Sequence, residues 1–221
     1  MQELLLYGYT VSNYSNKVKL ALLLKSIPFK EKRVSPGEND KNINGSPAGL
    51  IPYIQHDDFF LSDSQAICEY LEAAFPDSQP LIPSDAKQAA KMRQVISIIE
   101  TIIDSAARRI YTKKLYSTAP PREVFEEANN RLQRGVRALN RLDCFSNSAM
   151  LGSNLTLADC AAMATLPLVE EALSDYTTGS LLKDLYGYSS YYEQRMQEEP
   201  FIEVENARQK TFRGLARRAG K

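Results

Sequence analysis

A small α/β domain followed by an all-helical domain is the architecture this sequence predicts, and three observations carry the prediction. Short apolar runs alternate with helical patterns up to about residue 80. Three prolines then fall between Pro76 and Pro83, which is linker composition. Beyond them apolar residues recur at helical spacing almost throughout. The expected boundaries are 1–79 for the first domain, 76–85 for the linker and 86–221 for the helical domain.

Taken in order, 3–7 reads as a strand bounded by Gly8. Residues 17–25 carry Val18, Ala21, Leu22 and Leu24 at helical spacing, and Ile27-Pro28 stops the helix. Residues 29–34 are read as a half-exposed strand with alternating faces. A weakly structured stretch follows. Residues 52–55 and 59–61 then flank His56-Asp57-Asp58, the turn of a hairpin. Ala66, Ile67, Tyr70, Leu71 and Ala74 place a helix over 64–75. In the second half, 86–116 carries Met92, Val95, Ile99, Ile102, Ala106 and Ile110 on one face of a helix roughly 45 Å long. Pro120-Pro121 interrupts it, and 123–142 resumes the pattern. Thr156-Leu157-Ala158-Asp159 opens a third helix with the spacing of a capping box, in which hydroxyl and carboxylate satisfy orphaned amides. Shorter helices are expected at 180–186, 189–198 and 201–213.

Composition narrows the function. The 221 residues are 43% hydrophobic and 24% charged, which suits a globular protein and not a disordered one. Lys plus Arg numbers 27 and Asp plus Glu numbers 27, so the electrostatic footprint of a nucleic-acid binder is missing. No apolar run approaches the ~20 residues of a membrane helix. Leu4-Leu5-Leu6 is too short for a secretory signal, and Glu3 precedes it. The 3 cysteines, Cys68, Cys144 and Cys160, are widely spaced without a C-x-x-C pair, so neither a disulfide framework nor a zinc site is indicated. With 1 histidine, His56, read as a turn residue, His-based metal sites and catalysis are poor expectations. The class expected is a soluble, cytoplasmic, metal-free protein with no nucleic-acid or membrane partner.

Three segments carry candidate chemistry. Ser62-Asp63-Ser64-Gln65 sits where a strand meets a helix, and helix N-termini attract carboxylates and phosphates. Ser64 supplies a hydroxyl donor and Asp63 an acceptor for an ammonium, so the pair suits the zwitterionic end of an amino acid. The same residues also make an ordinary N-cap. Pro52 opens a strand without an N–H; a cis Ile51–Pro52 bond there leaves the Ile51 backbone free to pair with a bound peptide, and an ordinary trans edge proline is the other reading. Thr10-Val11-Ser12-Asn13-Tyr14-Ser15 forms the first βα turn, where hydroxyls face a ligand or cap the helix; Ser12 and Ser15 cannot both be the cap.

The order of these signals is specific. Ser46-Pro47-Ala48-Gly49-Leu50-Ile51-Pro52, Leu61-Ser62-Asp63-Ser64-Gln65-Ala66-Ile67 and Leu155-Thr156-Leu157-Ala158-Asp159 resemble the cytosolic glutathione transferase family, in its serine-type classes, over nearly the whole chain. The resemblance implies a thioredoxin-like β-α-β-α-β-β-α domain holding glutathione as co-substrate, a helical domain lining the pocket of a small hydrophobic electrophile, and a cytoplasmic, detoxifying homodimer without metal. It also implies roles. Pro52 is similar to the family's cis-proline, with Ile51 pairing to the cysteinyl part of glutathione. Asp63 and Ser64 are placed on the γ-glutamyl end, and Ser12 on the thiol. Thr156 and Asp159 are structural. The alternatives are a glutathione-dependent peroxidase or isomerase, or a catalytically silent binding module.

Three departures stand beside this. Leu50 replaces the family's common lysine, with Lys41 as a weak substitute. Ser12 stands where cysteine-type members carry cysteine, which disfavours glutaredoxin-like chemistry. Tyrosine-type members use a tyrosine after strand one, and Tyr7 and Tyr9 lie there, Tyr7 expected in the core and Tyr9 facing the cleft; Tyr14 and Ser15 are second-line donors. For the electrophile pocket the candidates are Tyr9, Arg108 and Tyr111, with Arg109 and Tyr116 beside them. Cys68 and Cys160 read as packing residues and Cys144 as the one exposed cysteine.

Overall fold

The computed structural model describes residues 4–34, 45–111, 120–173 and 181–219. They fall into two compact units, Met1–Ile82 with Glu199–Lys221, and Pro83–Glu198.

The first unit is built on a four-stranded sheet in the order β2-β1-β3-β4. The strands are β1 (Leu4–Gly8), β2 (Lys30–Arg33), β3 (Tyr53–His56) and β4 (Phe59–Ser62). β1 pairs parallel with β2 and antiparallel with β3, and β3 pairs antiparallel with β4. A parallel pair needs a crossover, and α1 (Asn13–Leu24) supplies it between β1 and β2. α2 (Ser64–Ala74) follows β4 and packs on α1 and the sheet. Leu6 and Ile54 stand opposite each other across the β1–β3 ladder; with Val18, Leu22, Ile67 and Leu71 they are sealed from solvent and make the core. On the sheet's other pleat face Tyr7 stacks on Tyr53 with ring centroids 4.4 Å apart. The hairpin of β3 and β4 turns on Asp57, at φ 57°, and Asp58, so His56 is the last strand residue and not part of the turn. The second helix that the β-α-β-α-β-β-α order implies between β2 and β3 is not found among the described residues; 35–44, which with 45–52 separate these strands, lie outside them. β2 departs from the expected alternation: all four of its residues are exposed, because Lys-Glu-Lys-Arg forms an edge strand whose charge discourages further pairing.

In the second unit α3 (Ala86–Ser97) continues without a break into a π-helical stretch, Ile98–Asp104, and a last α turn, Ser105–Ala107. α4 (Arg122–Arg141) crosses this stretch at Gly135, where any Cβ would collide with the Ile103 side chain. α5 (Leu157–Leu173), a short 3-10 turn (Leu181–Asp184) and α6 (Tyr188–Arg195) complete the unit.

α7 (Glu199–Ala219) breaks the expected boundary. The sequence places it in the helical domain, yet it groups with the sheet-bearing unit. Polar contacts explain the choice. Lys19 on α1 reaches Glu203 at 2.9 Å, and the hydroxyls of Thr10 and Thr211 lie 2.7 Å apart.

Candidate functional site

Strand register gathers the candidate residues of the first unit. Tyr7 pairs with Tyr53, and Tyr53 pairs with Ser62. The C-terminal end of β1, the N-terminal end of β3 and the C-terminal end of β4 therefore lie at one end of the sheet. Ser12, Ile51–Pro52 and Asp63–Ser64 leave the sheet from that end.

Ser12 is the N-cap of α1, at φ −72° and ψ 116°, and its Oγ accepts the Ser15 amide at 3.2 Å. Of the two serines it is the cap. A hydroxyl that accepts through a lone pair keeps its own proton, and no acceptor among the described residues takes that of Ser12. Ser15 turns back to β1, its Oγ 3.4 Å from the Tyr9 amide. This close return requires Gly8, since a Cβ there would stand 2.6 Å from Ser15 Oγ. The helix begins four residues before the expected 17, because its first turn, Asn13 to Asn16, is polar and its capping serine leaves no apolar periodicity to read.

The Ile51–Pro52 peptide is cis. Before it, Ser46 closes a small loop: its Oγ donates to Leu50 O at 2.6 Å and accepts Leu50 N at 2.9 Å. Leu50 itself is 67% exposed. No main-chain partner engages Ile51 among the described residues. Lys41 lies outside the described residues.

Asp63 is the N-cap of α2, in the unusual positive-φ region at 79°, and one carboxylate oxygen, Oδ1, accepts the amides of Gln65 and Ala66 at 2.9 Å each. Capping thus occupies one oxygen and leaves Oδ2 open. Ser64 is buried. Sequence reasoning missed what holds this turn. Lys17, 1% exposed, donates to Gln65 Oε1 at 2.7 Å, and Gln65 Nε2 passes on to Glu69 at 2.9 Å. A lysine in an apolar helical run offered no signal; only the α1–α2 packing puts it beside the Asp63–Gln65 turn.

The pocket candidates separate. Tyr9 is half-buried in the first unit, with the Arg33 guanidinium over its ring at 5.1 Å. Tyr7 donates to Gln55 Oε1 at 3.1 Å. Arg108 and Tyr111 lie in the second unit, where both meet the fully buried Asp104, at 2.6 and 3.2 Å. Arg109 pairs with Glu127 at 2.7 Å and, through that hydrogen bond, lowers its carboxyl pKa. Tyr116 lies outside the described residues. Cys68 and Cys160 are buried packing residues, and so is Cys144, against expectation; burial pushes its thiol up to about 12. Among the described residues no group of three or more His, Cys, Asp or Glu is placed to hold a metal ion, and no helix is long and apolar enough to cross a membrane.

Residues 6–79 match the family model described as the N-terminal domain of glutathione S-transferase. The chain is 34% identical over 154 residues to a glutathione S-transferase of Pseudomonas putida, covering 70% of this chain and 69% of that protein. It is 31% identical over 163 residues to a probable maleylacetoacetate isomerase 2 of Drosophila melanogaster, covering 71% and 70%. In fold it is similar to human glutathione S-transferase T1-1, with a TM-score of 0.78 at 18% identity over 93% of this chain and 89% of that one. A glutathione transferase homolog of Drosophila mojavensis, solved with bound glutathione, gives 0.78 at 20% identity over 98% and 97%.

Proposed function

We propose, from the premise that the chain belongs to the glutathione S-transferase family, that it binds glutathione at the sheet end bearing Ser12, Ile51–Pro52 and Asp63–Ser64 and conjugates the thiolate to a small electrophile. One observation carries the reading. Among the described residues, a hydroxyl proton without an acceptor sits at the N-terminus of α1, at the same end of the sheet as an unpaired main chain and a half-occupied carboxylate. In this arrangement Asp63 Oδ2 takes the glutathione ammonium, the Ser64 amide and hydroxyl take its carboxylate, and Ile51 pairs with the cysteinyl main chain. Ser12 then donates to the sulfur. The 1–79 segment is in this reading the glutathione domain and 86–221 the domain that serves the electrophile.

Glutathione at millimolar concentration is expected to raise the melting temperature of the protein, and Asp63→Ala to remove most of that rise. Scanning fluorimetry measures both; an unchanged midpoint with ligand would count against glutathione binding altogether. Lys17 is expected to act as a positioning residue. Lys17→Met frees the Gln65 turn and raises KM for glutathione about tenfold while kcat falls less than threefold, and Lys17→Arg restores most of the affinity. A fall in kcat alone would place Lys17 elsewhere in the reaction.

A second reading has specific support: relatives named as maleylacetoacetate isomerases favour isomerisation, in which glutathione adds to a double bond and leaves again. Stoichiometry separates the two, since conjugation consumes glutathione and isomerisation does not. Homodimerisation and a cytoplasmic location belong to the same proposal. Phe59 and Phe60, 44% and 38% exposed on edge strand β4, support an apolar subunit contact.

A further inference from the structure

The loop that leads into β3 touches itself at its two ends. Tyr53, the first residue of β3, is 2% exposed, and its ring stacks on that of Tyr7 with centroids 4.4 Å apart and planes 10° from parallel. Its hydroxyl is sealed from solvent and has no hydrogen-bond partner among the described residues. A buried hydroxyl left unpaired is unfavourable, so the ring and not the oxygen is what the fold uses here. Gly45 lies against that ring. A Cβ on Gly45 would stand 2.5 Å from Tyr53 Cε2, 2.7 Å from Cδ2 and 3.2 Å from Cζ. All three distances fall inside the ~3.5–4.0 Å at which carbons rest in contact. A side chain at 45 therefore requires the ring to move, and Tyr7 stands in its way, with its own hydroxyl held by Gln55 at 3.1 Å. Gly45 does not take a positive φ, so this close approach, and not backbone conformation, calls for glycine.

Between the two residues the chain is closed on itself. Ser46 Oγ donates to Leu50 O and accepts Leu50 N, and Gly49 N donates to Ser46 O at 2.8 Å. These bonds hold the turn 46–50 as one piece, and the contact of Gly45 with Tyr53 seats that piece on the start of β3. Ile51, whose main chain has no partner among the described residues, spans the step between turn and strand.

We propose that Gly45 and the Tyr53 ring are a positioning pair, which sets where the Ile51 main chain lies and thereby the affinity for glutathione; this rests on the glutathione site proposed above. Neither residue has to touch the tripeptide. Calorimetric titration of the full chain with glutathione, with steady-state kinetics beside it, is the test. Gly45→Ala is expected to weaken glutathione binding about tenfold and to raise KM with it, while kcat falls less than about threefold. Tyr53→Val takes the ring from under the loop and weakens binding severalfold. In the double variant the alanine Cβ enters the space the ring has left, and affinity returns to within about threefold of wild type, a coupling that independent defects do not show. Tyr53→Phe retains the ring and with it the affinity, and its melting midpoint does not fall, because the hydroxyl it lacks is unpaired in the wild type. Single-variant losses that simply multiply in the double variant overturn the proposal, as does a Gly45→Ala protein that binds like wild type. Should Gly45→Ala fail to fold, Tyr53→Val decides, since a folded Tyr53→Val protein of wild-type affinity overturns the pair as well. A wild-type protein that takes up no glutathione sinks the site and the pair together, an outcome distinct from variants that bind unchanged.

Discussion

Ser12→Ala is expected to lower kcat/KM toward 1-chloro-2,4-dinitrobenzene by about two orders of magnitude, and to return the thiol of bound glutathione to its solution pKa. A thiol with pKa near ~8.5 is mostly protonated at neutral pH, and the thiolate is the nucleophile. Moving it down two units takes ~2.7 kcal/mol of preference for the anion. A hydrogen bond to a charged acceptor supplies ~1.5–3 kcal/mol, and a helix N-terminus adds ~0.3–1 kcal/mol. In the proposed reading Ser12 brings both, because it caps α1 through a lone pair and so has its proton left to donate to the sulfur. No separate base is needed. The same substitution removes the cap on Ser15 N, at about 1 kcal/mol of stability, so melting must be followed alongside rate. Ser12→Thr keeps cap and donor and is expected to retain most activity. Ultraviolet titration of the thiolate in the binary complex reads the pKa directly. Should Tyr9→Phe abolish turnover while Ser12→Ala leaves it intact, the activating hydroxyl is the phenol, and Ser12 is only a cap.

The parts of this site that the sequence disclosed are those with local signatures. Asp63 and Ser64 begin a helix straight after a strand, and Pro52 stands where a strand cannot start normally, so motif and backbone chemistry coincide. Thr156 and Asp159 form the capping box their spacing predicts. What stayed hidden depends on contacts between distant segments. Lys17 carried no signal of its own, and only the packing of α1 on α2 buries it beside Gln65. The pairing of Arg108 and Tyr111 with Asp104 is local by contrast: the acid lies four and seven residues before them, at spacings that share one helix face, so this commitment is legible in the sequence, where both residues are instead read as pocket candidates. α7 carries an ordinary helical pattern, and nothing in it announces that Glu203 and Thr211 reach back to α1 and the first βα turn. Cys144 follows Asp143 in a stretch of loop composition, yet it is almost wholly buried. Burial of a polar-flanked cysteine is a tertiary fact.

The largest loss of stability is expected from Asp159→Ala. Its carboxylate lies at 0% exposure and accepts four hydrogen bonds. Oδ2 takes the Thr156 amide at 2.8 Å and the Thr156 hydroxyl at 3.0 Å. Oδ1 takes the Met150 amide at 3.0 Å and the Tyr191 hydroxyl at 2.8 Å. One oxygen thus completes the cap of α5, while the other ties the loop before it to α6. Alanine strands two buried amides that cannot rotate to new partners, at about 1–3 kcal/mol each, and opens a small void besides. Roughly 3–5 kcal/mol is expected, or a melting midpoint lower by on the order of 10 °C in a chain of this size. Asp159→Asn keeps the volume but turns an amide donor toward donors, so it recovers only part of the loss. Acid titration adds an independent sign. Burial raises the Asp159 pKa above the ordinary 3.8 despite the four bonds. The fold therefore binds this proton more tightly than the unfolded chain, and the stability linked to it is greatest below that ordinary value and declines as pH rises through the raised one. The wild type carries this slope in its stability–pH curve and Asp159→Asn does not. Circular dichroism melts between pH 3 and pH 8 on both proteins measure the difference, and parallel curves would show that the carboxylate's charge is not what the buried cluster responds to.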